Sequence, residues 1–199
     1  SHKDPEASEP PYELLNTDFT QSAADIVAVL DWLDLNPKLR ASSVVLVTFS
    51  FSALDARIVL RHEENRRRVQ YWIACMGTPE FRDLMVRINC GLDFLENYQL
   101  GIKLGVMPVL GNLVNVDYYV GDGVRNSVAT LEQAREDMRH LDLPITWIYG
   151  QYDNWVRAEF IRDVMSIKAN APREVISVPI GHNARTSNDA LRMFGTITS

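Results

Sequence analysis

The chain has 199 residues, of which 46% are hydrophobic and 23% are charged, and this composition is that of an ordinary globular domain. Its formal net charge of −6 disfavours nucleic acid as a partner, because proteins that bind phosphate backbones usually carry a surplus of Lys and Arg. The sequence contains neither an apolar run long enough to span a membrane nor a recognisable signal peptide. Cys75 and Cys90 lack the spacing of a metal or redox motif. We therefore expect one cytoplasmic domain with no membrane span, structural metal or cofactor.

The elements alternate along the chain after a polar arm at residues 1–13, which is rich in Pro, Glu and Ser. Apolar residues at helical spacing over 20–35 predict an amphipathic helix. Four apolar runs predict strands, at residues 44–49, 69–75, 144–150 and 173–181. We interpret the first of these as covered on both faces. Helical patterns between the runs predict an α/β fold, with a mostly parallel sheet and helices on both of its faces.

One segment breaks this alternation. Residues 77–143 separate the second predicted strand from the third, and they are far more numerous than a single crossover helix requires. Their two ends have helical patterns, whereas the middle is apolar and glycine-rich with no clean period. The sequence therefore predicts a core of residues 14–76 and 144–199, with residues 77–143 forming a cap over one end of the sheet.

The junction in "VVLVTFSFSALDARIVL" is typical of a nucleophile elbow, where a strand ends in a serine and turns at once into a helix. Ser50 and Ser52 both fit, and the small residues that usually flank such a nucleophile do not distinguish them. The helical pattern begins at Ala53, which favours Ser52 and makes the Ala53 N–H the expected oxyanion donor. A serine in this position can also act only as a helix cap.

A serine nucleophile needs a base and a group that orients the base. Of the four histidines, only His182 directly follows a predicted strand, and Gly181 before it permits a turn toward the sheet. Asp153 follows the third predicted strand, although it would also serve well as a helix cap. Ser52, Asp153 and His182 are thus predicted at the carboxyl ends of parallel strands, where such folds place their sites.

The chain also resembles a known family, the acyl-transferases of bacterial luminescence operons, which are myristoyl-ACP thioesterases with an α/β-hydrolase fold. The similarity is colinear from about residue 15 onward and includes "TPEFRDLMVRINCGLDFL", "GQYDNWVRAEFIRDVM" and "VPIGHNAR". In that family the second serine of an Ala-Ser-x-Ser elbow is the nucleophile, which implies Ser52 here. The family's acid and histidine correspond to Asp153 and His182. This chain departs from the family in having Phe49 in place of the elbow alanine and slightly shorter spacing before His182.

The resemblance implies release of a fatty acid from long-chain acyl-ACP through an acyl-serine intermediate. Its implied partners are an acyl thioester substrate, an acyl carrier protein and a fatty acid reductase. We expect the acyl chain to lie along the apolar segment between Leu92 and Val120. Arg61 and the run Arg66–Arg68 could dock an acidic carrier, although a solvated basic loop is the better explanation, because charge clusters on surfaces are common and weak in effect.

Only one helix precedes the predicted nucleophile strand, whereas α/β-hydrolases place several strands there. We therefore expect the amino-terminal strands of such a fold to be missing from this sequence. Two other functions stay open. One is a general carboxylesterase with the same triad, and the other is a non-catalytic interaction module of the same fold.

Overall fold

The computed structural model describes residues 18–36, 38, 43–183 and 186–198, and the predicted arm at residues 1–13 lies outside them. The described strands are Val45–Phe49 (β1), Tyr71–Cys75 (β2), Val106–Val109 (β3), Asn112–Asn115 (β4), Ile145–Gly150 (β5) and Arg173–Val178 (β6). Strands β1, β2, β5 and β6 form a parallel sheet in that order, and β3 pairs with β4 as an antiparallel hairpin. The parallel sheet predicted from the four apolar runs is confirmed.

Helices cover both faces of this sheet. They are Phe19–Leu35 (α1), Ser52–Arg61 (α2), Glu63–Arg66 (α3), Arg82–Ile88 (α4), Phe94–Gln99 (α5), Val116–Arg125 (α6), Leu131–His140 (α7), Ala158–Met165 (α8) and Ser187–Thr198 (α9). The larger core cluster joins one face of the sheet to α2, α7 and α8, and a smaller cluster joins the other face to Met193 of α9. The predicted α/β architecture is therefore confirmed.

Two tryptophans fix the centre of the sheet. Trp72 and Trp147 are fully buried on the neighbouring strands β2 and β5, with ring centroids 5.5 Å apart. Their indole N–H groups donate to Thr48 Oγ1 at 2.9 Å and to the Gly77 carbonyl at 3.0 Å. Because buried polar groups need such partners, these bonds anchor β1 and the start of the 77–143 segment to the core.

The first strand is less covered than predicted. Val45, Val47 and Phe49 are 50%, 38% and 41% exposed, and within the described residues β1 pairs only with β2. The prediction that this strand is covered on both faces is wrong. A continuous apolar run is typical of a strand buried on both faces, but it cannot show how much of each face a neighbouring element covers.

The insertion at residues 77–143 contains α4, α5, the β3–β4 hairpin, α6 and α7. The hairpin closes through Leu110 and Gly111, whose φ angles of 51° and 85° match a two-residue turn with both central residues at positive φ. Asp122 of α6 accepts hydrogen bonds from the Phe19 and Thr20 N–H groups at 2.8 and 3.0 Å, which holds the start of α1 against the insertion. The division into a core and a cap stays a prediction.

A buried ion pair joins α2 to α7. Arg57 is fully buried, and its Nε donates to Asp137 Oδ2 at 2.9 Å, while other guanidinium N–H groups donate to the carbonyls of Pro79 and Ser127. Arg61 also donates to Asp137, at 2.7 Å from its Nη2. Burial lowers the pKa of the Arg57 guanidinium, and Asp137 opposes that shift.

Glu80, at the start of the insertion, is another buried ionisable residue. Its side chain accepts a hydrogen bond from the Asp83 N–H at 2.7 Å, and the residue is only 3% exposed. Burial raises the pKa of the Glu80 carboxyl to about 7, against the opposing effect of backbone hydrogen bonds. Between about pH 4.5 and pH 7, the Glu80 carboxyl is therefore protonated in the folded protein and ionised in the unfolded chain.

We expect Glu80→Gln to become more stabilising, relative to the wild type, as the pH rises from about 4.5 to about 7. In this window the unfolded wild type binds fewer protons than the folded state, so its free energy of unfolding falls with rising pH by up to about 3 kcal/mol. Glutamine keeps an acceptor oxygen but has no proton to lose. Urea unfolding at pH 5 and pH 8 measures the difference. The exposed Glu132→Gln is the control, and an equal effect of Glu80→Gln at both pH values would contradict the expectation.

Candidate active site

Ser50 occupies a strained turn between β1 and α2. Its φ is 53°, a left-handed conformation that is uncommon for residues other than glycine. Its N–H still continues the sheet by donating to the Cys75 carbonyl at 3.0 Å, and its own carbonyl accepts from the Ala53 N–H at 3.2 Å. The turn therefore lifts the serine side chain off the end of the strand, as in a nucleophile elbow.

Ser50, and not Ser52, meets the predicted histidine. Ser50 Oγ lies 2.8 Å from His182 Nε2, whereas Ser52 is the first residue of α2. The prediction of Ser52 is corrected on this point. The reason is local, because Phe51 stands between the serine at the strand end and the first helical residue, while the prediction assumed that the helix follows the nucleophile directly.

The predicted acid and base lie together. His182 Nδ1 is 2.8 Å from Asp153 Oδ2, and these two side chains are 7% and 1% exposed. With the proton on Nδ1, the imidazole donates to Asp153, and Nε2 accepts from the Ser50 hydroxyl. The other oxygen, Asp153 Oδ1, accepts from the N–H groups of Trp155 and Val156 at 2.8 and 3.1 Å. Asp153 is not the helix cap considered from the sequence, because α8 begins at Ala158 with Arg157 as its N-cap. It instead forms a turn with residues 155 and 156 and contacts the histidine.

Trp155 adds an aromatic contact that the sequence did not indicate. Its ring centroid lies 4.5 Å from that of His182, with the planes tilted by 37°. This contact restricts the imidazole on the side that the hydrogen bonds leave free. The sequence could not predict this contact, because helix patterns and turn signals give no information on which aromatic side chain packs against the histidine.

Gly150 allows the acid and histidine loops to approach each other. A Cβ on this last residue of β5 would lie 2.4 Å from the Ile180 carbonyl oxygen. The two backbones are linked here, because the Tyr152 N–H donates to that same carbonyl at 3.1 Å. Gly181, which was predicted to permit a turn before His182, has more room, because a Cβ there would meet only the Tyr152 carbonyl oxygen, at 3.8 Å.

Gly150→Ala is therefore expected to lower the free energy of unfolding by about 1–3 kcal/mol, because backbone and not a flexible side chain stands in the way. The matched variant Gly181→Ala, in the adjoining loop, should leave it nearly unchanged. Urea unfolding of both variants measures the effect. Equal stabilities would show that the close approach at Gly150 relaxes without cost.

The expected oxyanion donor also changes. The Ala53 N–H is already used in the bond to the Ser50 carbonyl, and Ala53 is fully buried. The prediction of Ala53 is therefore corrected together with that of Ser52. In a nucleophile elbow the donor is the N–H of the residue after the nucleophile, which for Ser50 is Phe51.

Among the described residues, no group of three or more His, Cys, Asp or Glu side chains is arranged to hold a metal ion. The helices of the described ranges include none that is both long and apolar enough to cross a lipid bilayer.

Solved structures with this fold include several hydrolases. One described for LipS and LipT, two metagenome-derived lipolytic enzymes, has a TM-score of 0.64 and 13% identity, covering 96% of this chain and 76% of that one. The esterase domain of a Rhodothermus marinus protein has a TM-score of 0.59 and 15% identity, with coverages of 92% and 68%. The thioesterase domain from the curacin biosynthetic pathway has a TM-score of 0.51 and 14% identity, with coverages of 94% and 75%. The chain therefore has an α/β-hydrolase fold.

Sequence comparison gives no narrower assignment. No family model and no curated protein matches the chain. The resemblance to the acyl-transferases of luminescence operons is thus not confirmed.

Proposed function

We propose that this protein is a serine hydrolase of acyl esters or thioesters, with Ser50 as nucleophile, His182 as general base and Asp153 as the acid that orients it. The observation that supports this most strongly is the continuous hydrogen-bonded chain, with 2.8 Å from Ser50 Oγ to His182 Nε2 and 2.8 Å from His182 Nδ1 to Asp153 Oδ2. These residues follow β1, β6 and β5, so three separate strand ends converge on one constellation. The chain order Ser, Asp, His is also that of α/β-hydrolases.

The proposed mechanism follows from this geometry. Ser50 Oγ attacks the acyl carbonyl carbon while His182 Nε2 takes the hydroxyl proton, and the carbonyl electrons move to an oxyanion that the Phe51 N–H stabilises. Collapse of this intermediate expels the alcohol or thiol, which takes the proton from His182 and leaves an acyl-serine. Water then attacks the acyl-serine carbonyl and gives a proton to His182. Collapse of this second intermediate breaks the bond between the carbonyl carbon and Ser50 Oγ, Ser50 Oγ takes the proton from His182, and the carboxylic acid is released. Asp153 holds the imidazole tautomer and stabilises its positive charge in each step.

We infer that the acyl group is a long hydrocarbon chain, as in a fatty acyl thioester. Supporting this, the insertion exposes several large apolar side chains that lie close together in the sequence, between residues 100 and 113. They are Leu100 at 67%, Ile102 at 48%, Val106 at 51%, Leu110 at 48% and Leu113 at 59% exposure. A long acyl chain would gain free energy by covering such side chains.

The arginine cluster gives little support to carrier-protein docking. Each guanidinium is engaged within the chain: Arg61 with Asp137, Arg66 with the Leu60 carbonyl, Arg67 with Glu63, and Arg68 with Asp31 and Asp34. The carboxylates among these partners offset the positive charge of Arg61, Arg67 and Arg68 that would attract an acidic carrier. The acyl carrier protein and the fatty acid reductase therefore stay predictions of the family resemblance alone.

Labelling with a fluorophosphonate probe, followed by peptide mass mapping, tests the proposed function. We expect a covalent adduct on Ser50 that forms quickly in the wild type and slowly in His182→Gln, since the base activates the hydroxyl. Absence of any adduct would favour the non-catalytic interaction module. An adduct on Ser52 would overturn the assignment of the nucleophile.

Turnover of matched substrates then tests the acyl group. Butyryl and myristoyl chains, each as a thioester and as an aryl ester, separate chain length from leaving group. Preference for the myristoyl thioester, expressed as kcat/KM, is the expected result. Faster turnover of the butyryl aryl ester would identify a general carboxylesterase instead.

A further inference from the structure

Three charged residues join the loop that carries Asp153 to the first helix of the insertion. Asp83 of α4 accepts from Arg157 Nε, at 2.8 Å to Oδ1 and 2.9 Å to Oδ2. Asp83 Oδ2 also accepts from Arg87 Nε at 3.0 Å, and Arg87 Nη1 donates to the Asn154 carbonyl at 3.0 Å. The Asp83 carboxylate therefore contacts one end of segment 154–157 directly and the other end through Arg87.

These contacts enclose the turn on which the acid depends. Asp153 lies immediately before Asn154, and its Oδ1 accepts the N–H groups of Trp155 and Val156 inside the same turn. Trp155 in turn packs on the His182 ring. A shift of this segment would therefore move both the carboxylate and the aromatic ring that hold the imidazole.

The Asp83 contacts are partly shielded from water. The Asp83 side chain is 18% exposed, against 33% for Arg87 and 38% for Arg157. Hydrogen bonding to Asp83 raises the pKa of the Arg157 guanidinium above its usual value. Ion pairs that are shielded and doubly hydrogen-bonded hold a geometry better than fully exposed pairs do.

We propose that Asp83 is a positioning residue, which fixes the Asp153 loop against α4 and so keeps Asp153 and His182 aligned for the reaction. This inference rests on the proposed function, since alignment matters only where the triad turns over substrate. Because α4 belongs to the insertion, the position of the insertion would then influence the rate of the hydrolysis reaction.

Asp83→Ala tests the inference, with Asp163→Ala as the matched control. Asp163 also forms a partly exposed ion pair between helices, at 2.7 Å to Arg135, but it does not contact the Asp153 loop. We expect Asp83→Ala to lower kcat by about tenfold to a hundredfold with little change in KM, because small displacements of reacting groups are costly. The control should keep the wild-type kcat.

Amide hydrogen exchange provides a readout that does not depend on turnover. In Asp83→Ala the N–H groups of Trp155 and Val156 should exchange about tenfold faster or more, whereas those of β2 should keep their protection. Arg157→Gln removes the other partner of the Asp83–Arg157 contact, and the double variant should lose no more kcat than Asp83→Ala alone. Should Asp83→Ala fail to fold, Asp83→Asn carries the same comparison.

The outcomes separate the two proposals. Unchanged exchange at Trp155 and Val156, or a kcat equal to that of Asp163→Ala in an active wild type, would overturn the positioning role while leaving the hydrolase intact. A wild type without Ser50-dependent turnover would overturn the proposed function and, with it, the role of Asp83 in a reaction. Faster exchange together with reduced kcat supports the inference.

Discussion

Replacing Ser50 with alanine is expected to lower kcat for hydrolysis of an aryl ester by about 1,000-fold or more. The variant removes the only oxygen that lies against His182 Nε2 among the described side chains, at 2.8 Å, so no acyl-serine can form. The substitution removes only the hydroxyl group, so the backbone turn and the His182–Asp153 pair should stay as they are. Initial rates with a para-nitrophenyl ester, together with unfolding curves that establish equal folding, measure the effect.

Ser52→Ala is the matched control, two residues away on the same turn. Because Ser52 begins α2 and the hydrogen bond to the imidazole comes from Ser50, its removal should change kcat by no more than a few-fold. The reverse pattern, with activity lost in Ser52→Ala and kept in Ser50→Ala, would restore the assignment made from the sequence. Loss in both variants would indicate that the turn itself, and not one hydroxyl, is required.

Asp137→Ala is expected to have the largest effect on stability, lowering the free energy of unfolding by about 3–5 kcal/mol. The variant leaves the fully buried Arg57 guanidinium without its carboxylate, and the partly exposed Arg61 loses the same partner. A charge without a counter-charge inside a core costs far more than the same charge in water. Urea denaturation measures the loss of stability, and the dependence of the free energy of unfolding on urea concentration should be unchanged.

Glu136→Ala, the preceding residue on the same helix, provides the comparison. The Glu136 side chain is 60% exposed and pairs with Arg139, so its loss should lower the free energy of unfolding far less than the loss of Asp137 does. Similar losses in the two variants would mean that the Arg57–Asp137 pair contributes no more than a surface pair. The expected contrast depends on burial alone, because both substitutions remove a carboxylate from α7.

The sheet was predictable because β2 and β5 are buried on both faces and therefore read as continuous apolar runs. β1 has the same kind of sequence, yet Val45 and Phe49 are exposed, because coverage of a face depends on elements elsewhere in the chain. The hairpin and α6 were not predicted. Strands of four residues are too short for a clear period, and Gly121 and Gly123 weaken the helical pattern of α6.

Asp153 and His182 could be found from sequence because each directly follows a strand, and strand ends of a parallel sheet meet at one edge. The choice between Ser50 and Ser52 could not be made correctly, since it depends on where the helix begins to within two residues, and helix boundaries are the least certain part of such predictions. Nothing in the sequence around Gly150, Trp155 or Asp83 indicates a role in the site. Their roles arise from contacts between loops that are far apart in the chain.

The positive φ of Ser50 has a thermodynamic consequence. A residue with a Cβ in that conformation costs about 1 kcal/mol or more relative to a relaxed backbone, and only glycine is free of the penalty. Glycine there would make the fold easier to attain but would remove the hydroxyl. Under the proposed function, this conformational cost falls on the residue whose hydroxyl the reaction requires, so stability and activity make opposite demands at position 50.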